Sequence, residues 1–209
     1  MATTFITTNT IGAGTTVTLA NGDGALIAQG IVLGSTTDTA LYGAGSGHQV
    51  TVLGTVYGDG YGISLGNEAT LDTGQQVVVG ASGVVSAGNT AVFLNGNNSS
   101  MTNHGLISGG SYGVLSYGVA ASGQSRIFND GTIEGGVYGV YGTGSEALRI
   151  ENHGTIRGGI NSISMFNTAN DIVLNRGALI GDVLLGGGND LYDGRRGSID
   201  GVVLGRVGQ

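Results

Sequence analysis

Two Asn-Asp pairs near the C-terminus, Asn170-Asp171 and Asn189-Asp190, stand 19 residues apart. Where 19 residues make one turn of a repeating coil, the two pairs stack and their carboxylates lie about 5–6 Å apart. Like charges that close repel unless a cation lies between them. Calcium suits such a place because it takes six to eight oxygens in flexible geometry. The run Gly186-Gly187-Gly188 leaves backbone carbonyls free to turn toward an ion, and Asp193 supplies a further oxygen. The expected ligand set is Asp171, Gly186, Gly188, Asn189, Asp190 and Asp193, with an affinity on the order of 10⁻⁴–10⁻³ M.

Acid–base chemistry has weaker material. His104, Asp130, His153 and Arg176 each follow an asparagine in a repeated segment. On stacked coils Asp130 and His153 come to about 5 Å, where a carboxylate orients an imidazole. No serine or cysteine nucleophile is marked out beside them, and two histidines two coils apart, at about 10 Å, do not share a metal. Glycoside hydrolysis needs two carboxylates about 5–10 Å apart on one face. Glu134 and Arg157 occupy equivalent repeat positions, so that column carries opposite charges. Arg126, Arg149, Arg157, Arg176, Arg195, Arg196 and Arg206 fall at different coil positions, and lysine is absent. A non-catalytic module is therefore expected, with a polysaccharide-active lyase, hydrolase or epimerase as the alternative.

The elements that must position these residues are announced by a repeat. MTNHGLISGG from Met101, IFNDGTIEGG from Ile127 and IENHGTIRGG from Ile150 share one pattern, with periods of 26 and 23 residues. Asn103, Asn129 and Asn152 are in register, followed by Gly105, Gly131 and Gly154, then Ile107, Ile133 and Ile156. Such a period fits one turn of a solenoid. Alternate apolar residues point inward from a strand, while glycine and asparagine turn corners. A Gly-x-aliphatic anchor extends the pattern to Gly24, Gly54, Gly83, Gly177 and Gly197, so loops shorten toward the C-terminus. A second strand follows each anchor, as in Tyr61-Gly62-Ile63, Tyr112-Gly113-Val114 and Tyr138-Gly139-Val140, and a third leads into the asparagine.

The predicted fold is all-β: a single-stranded parallel β-helix with three short strands in each of about eight coils, roughly 40 Å long at the ~4.8 Å strand spacing. Right-handed winding follows from the crossover preference of parallel strands. Residues 1–20 are expected to form N-terminal cap strands over the first coil, and residues 21–209 the helix itself. The asparagines, continued by Asn175, should form an internal amide ladder. The last strands, around Ile199 and Val202-Val203-Leu204, are as apolar as interior ones, so further coils or end-to-end self-association are expected there.

Composition narrows the partners. Only 10% of the residues are charged, against roughly a quarter in an ordinary globular chain. The net charge is −7, which argues against nucleic acid, since that needs a positive footprint. No apolar run reaches the ~20 residues of a membrane span. The start, MATTFITTNTIGAG, has neither the basic nor the apolar region of a cleavable signal peptide. Without cysteine no disulfide forms.

The segment Leu185 to Asp193 resembles the calcium-binding nonapeptide of secreted RTX proteins. Gly186, Gly188, Asn189 and Asp190 match it, while Leu185 stands at the first glycine and Tyr192 at the large aliphatic. From about Gly54 to Gly205 the chain is similar to the glycine- and asparagine-rich β-helices of secreted bacterial surface proteins, namely autotransporter passengers and RTX-type adhesins. The resemblance implies an extracellular or cell-surface bacterial protein, structural or adhesive in role, with calcium between successive turns. It also implies host or surface glycans, or further copies of the chain, as partners.

Overall fold

A computed structural model describes residues 2–68 and 71–205; Met1, Arg206 and the segment Val207 to Gln209 lie outside the described residues. Among the described residues there is no helix, and the architecture is a β-solenoid in which parallel strands wind through three faces. The first face stacks nine strands from Thr3–Ile6 to Leu191–Asp193, one for each coil. The second runs from Thr10–Gly12 to Ser198–Asp200, and the third from Val17–Leu19 to Val203–Leu204. In the seventh coil a single long strand, Thr155–Phe166, turns the corner between the second and third faces.

Alternation drives this winding. On the second face Val56, Val85, Ile107, Ile133, Ile156 and Leu179 stack in one column, all buried. Full burial of each such side chain is worth about 1.5–3 kcal/mol, and the column recurs at every strand spacing. The anchor glycines are required by close backbone approach. A Cβ on Gly131 would lie 2.2 Å from the Gly105 carbonyl oxygen, and one on Gly154 2.0 Å from that of Gly131.

Three features differ from the sequence-based expectation. Among the described residues there are nine coils rather than eight, because residues 3–19 are not a separate cap. Thr3–Ile6, Thr10–Gly12 and Val17–Leu19 each pair in parallel with the next coil and so make a full turn. Gly24 is not a second-face anchor: it opens a first-face strand beside Thr3 and Gln49. The position equivalent to Gly54 is Ile31, whose carbonyl accepts from Thr55 N. With that register, coil length does not fall steadily. It is 21 residues from Ala2 to Asp23, 27 from His48 to Gln75 and 19 from Asp171 to Asp190.

Candidate functional site

The asparagine column forms where the repeat places it. Asn103 Nδ2 donates to Asn129 Oδ1 at 2.7 Å, Asn129 to Asn152 at 2.8 Å and Asn152 to Asn175 at 2.9 Å. Asn175 closes the run by donating to the Ser198 carbonyl. All four are buried. In the earlier coils Ile6, Ile27, Val52 and Val79 fill the same column, so amide replaces aliphatic midway along the rod.

A second column, polar but for Leu148, lies where the chain turns into the first face, just before the strand or at its second residue. It contains Asp23, His48, Gln75, Ser99, Ser125, Leu148, Asp171 and Asp190. Its side chains repeat one bond: an oxygen on one coil accepts the backbone N–H of its neighbour on the preceding coil. Asp23 takes Ala2 N, Gln75 takes His48 N, Ser125 takes Ser99 N, Asp171 takes Leu148 N and Asp190 takes Asp171 N. A buried corner N–H left unpaired is costly, so each oxygen here holds a coil to the one before it.

The expected calcium residues meet only in part. Asp171 and Asp190 stack on adjacent coils, and Asn189 N donates to Asn170 Oδ1, as the 19-residue spacing requires. Asp171 is fully buried, and its Oδ2 has no hydrogen-bond partner. Burial pushes its carboxyl up to about 7, against the Leu148 amide and the Asn167 side chain and with a further push from Asp190. Asn167 favours the ionised form without making a well-formed bond to Oδ2. Burial also raises Asp190, against the Asp171 N–H. Gly186 and Gly188 have φ of 76° and 123°, so the turn itself demands glycine there. Asp193 is engaged elsewhere: its two oxygens accept Arg195 Nε at 2.9 Å and Nη2 at 2.6 Å. That side-chain pairing holds its carboxyl well below the usual range. Among the described residues no three His, Asp or Glu side chains converge as metal ligands. Two carboxylates and one free buried oxygen are what this corner offers a cation.

The histidines pair differently from the spacing argument. Asp130 bonds His104 Nδ1 at 2.6 Å, not His153. His153 Nε2 instead lies 3.1 Å from Glu151 Oε1, which also accepts from Arg176. The His153 bond, with Arg176 beside it, lowers the Glu151 carboxyl. Phe128 lies between the two imidazoles, with ring centroids 6.1 Å from His104 and 5.2 Å from His153. Glu134 and Arg157 do stack in register. The exposed His–carboxylate pairs fasten the outside of the corner, and exposed pairs contribute little. His153→Ala should therefore change stability by no more than about 0.5 kcal/mol in a denaturant melt.

Sequence reasoning missed three buried polar residues. His48 bonds the carbonyls of Asp23 and Ala44 through its two ring nitrogens. Asp72 Oδ2 accepts the N–H groups of Asn67 and Glu68. Glu146 accepts Asn98 N through one oxygen and the Ser125 hydroxyl through the other. None belongs to a repeated motif; the available signal was a polar residue in the loop entering the first face.

The third face carries the most distinctive surface. Tyr61, Thr90, Tyr112, Tyr138 and Asn161 form one column, and Tyr42, Ser64, Phe93, Leu115, Tyr141 and Ser164 another; the rings are half-buried, while Ser64, Thr90 and Ser164 are buried. Asn95, Tyr117, Thr143 and Phe166 make a third. Six of the eight tyrosines are here. Tyr112, Tyr138 and Tyr141 contact one another with centroids 5.1–5.5 Å apart, and Tyr61 stacks on Phe93 at 6.0 Å. Burial first, then Tyr112 and Tyr138, raises the Tyr141 phenol. No strand of this face from Val17–Leu19 to Tyr138–Gly144 contains a charged residue. Among the described residues no helix is long and apolar enough to cross a membrane. Comparison of the chain with family models, curated proteins and solved structures found no match.

Proposed function

We propose that this chain is a non-catalytic structural and adhesive rod of a bacterial cell surface or extracellular matrix. The observation that carries the reading is the use to which carboxylates are put. Asp23, Asp72, Glu146, Asp171, Asp182 and Asp190 each accept a backbone N–H of the solenoid. Asp130, Glu151 and Asp193 are occupied by His104, His153 with Arg176, and Arg195. A hydrolase or lyase needs two acids, or an acid and a base, free in one cleft. Nine of the fourteen acids are engaged in this way, and no strand of the aromatic face from Val17–Leu19 to Tyr138–Gly144 carries one. End-to-end self-association belongs to the same reading. Phe5 and Ile11 on the first coil and Val202, Val203 and Leu204 on the last are exposed. Strand edges of this kind extend on meeting a similar edge. The test is prolonged incubation with neutral and uronate polysaccharides, following reducing ends and the ultraviolet absorbance of unsaturated uronates. No product is expected, and turnover above a heat-denatured control would refute the reading.

A further inference from the structure

We infer that the third face is a binding platform for an extended neutral polysaccharide lying along the rod axis. The inference rests on the adhesive reading above and gives that reading a ligand class. Tyr61, Phe93, Tyr112, Tyr138 and Tyr141 present half-buried rings on four consecutive coils, and Tyr117 is exposed beside them. Continued to Asn161 on the next coil, the row covers five strands, about 20 Å at the usual strand spacing. That length fits a linear chain of several units and exceeds a single sugar.

Charge selects the ligand. The protein is acidic overall, yet this face has no ionic side chain over most of its length. Nucleic acids and uronate polymers would find no cation to neutralise them. A purely apolar partner is also a poor match, because each tyrosine brings a hydroxyl that needs a hydrogen-bond partner once covered. The half-buried Asn95 and Thr143 flank the rings in the column of Tyr117, and Asn161 follows Tyr138. A neutral sugar chain answers both demands, since the C–H face of each ring packs on an aromatic edge or face while its hydroxyls bond the phenols and amides. The rings brace one another along and across the two columns, so little side-chain freedom is lost on binding.

The absence of tryptophan gives a direct readout, since six of the eight tyrosines lie on this face. The whole chain would be titrated with cellohexaose, mannohexaose and maltohexaose, with a polygalacturonate hexamer as the anionic probe. Saturable change in tyrosine emission with at least one neutral hexamer, and none with polygalacturonate, is expected. Tyr112→Ser with Tyr138→Ser should weaken binding at least tenfold. Should that pair unfold the coil, Tyr117→Glu keeps the braced rings, adds a charge at the exposed rim and should weaken binding in the same direction. Tyr57→Ser, on the second face, should leave binding unchanged. Failure of all three neutral hexamers to bind, equal binding of polygalacturonate, or indifference to Tyr117→Glu would overturn the inference while leaving the non-catalytic reading intact. Cleavage of any hexamer would instead overturn that reading.

Discussion

Replacing Asn152 by alanine is expected to lower stability by about 1–3 kcal/mol, where His153→Ala next to it has almost no effect. Asn152 accepts Asn129 Nδ2 and donates to Asn175 Oδ1 at 2.9 Å and to the Ala178 carbonyl at 3.2 Å. Alanine removes all of these at once, in a corner with no exposure to water. The Asn129 amide loses an acceptor and Asn175 Oδ1 a donor, and neither can turn to solvent. A chain of this size loses roughly 2–4 °C in Tm for each kcal/mol, so a fall of several degrees is expected. Valine, which fills this column at Val52 and Val79, restores volume but not the donors, and Asn152→Val should remain well below wild type. The pair of thermal melts decides the point: equal shifts for Asn152→Ala and His153→Ala would mean that the amide column contributes nothing.

The ladder and the faces were readable because identity and spacing coincide there. Asn103, Asn129 and Asn152 repeat as the same residue at the same phase, and apolar alternation around them fixes which side faces in. In the early coils that coincidence fails. Gly24 opens a first-face strand with the same Gly-x-aliphatic pattern as an anchor, while the true anchor position holds Ile31. Local pattern cannot tell one parallel face from another when both begin with glycine.

The partner of Asp130 was not readable for a different reason. Stacking places it between His104 above and His153 below, and spacing is blind to that choice. Glu151, two residues before His153 on its own strand, and Arg176 on the next coil draw the imidazole away. The corner column of Asp23, His48, Gln75, Ser99 and Ser125 escaped because its members share a role and no side-chain type. Each supplies an oxygen or ring nitrogen where the chain turns into the first face. The aromatic platform was half visible: Tyr-Gly-aliphatic marked its strands. Thr90 interrupts the tyrosine column, and Phe93, Tyr141 and Leu115 join from a column of mixed type.

Asp171 makes the rod more stable in mild acid than in mild alkali. Its carboxyl is raised from an unfolded value near 3.8 to about 7, chiefly by burial. Between those values the folded chain keeps a proton that the unfolded chain has released. Stability therefore falls as pH rises from about 4 to about 7 and levels off above the folded value. The full effect is on the order of 4 kcal/mol, since each pKa unit corresponds to about 1.4 kcal/mol. Asp190, raised in the same direction, adds to the slope. Asp171→Asn should remove most of this loss, because the amide oxygen can still accept Leu148 N and the neutral group carries no charge to bury. At pH 8 the variant should exceed wild type by about 2–4 kcal/mol, or on the order of 10 °C in Tm, and at pH 5 the two should nearly coincide. A wild-type Tm that does not drop between pH 5 and pH 8 would refute the assignment. Millimolar calcium separates the two ways of relieving this carboxylate. A cation shared by Asp171 and Asp190 would raise the wild-type Tm at pH 8 and leave Asp171→Asn unmoved. Identical wild-type melts with calcium and with a chelator would leave the proton as the only relief, and the corner as a fastening between coils.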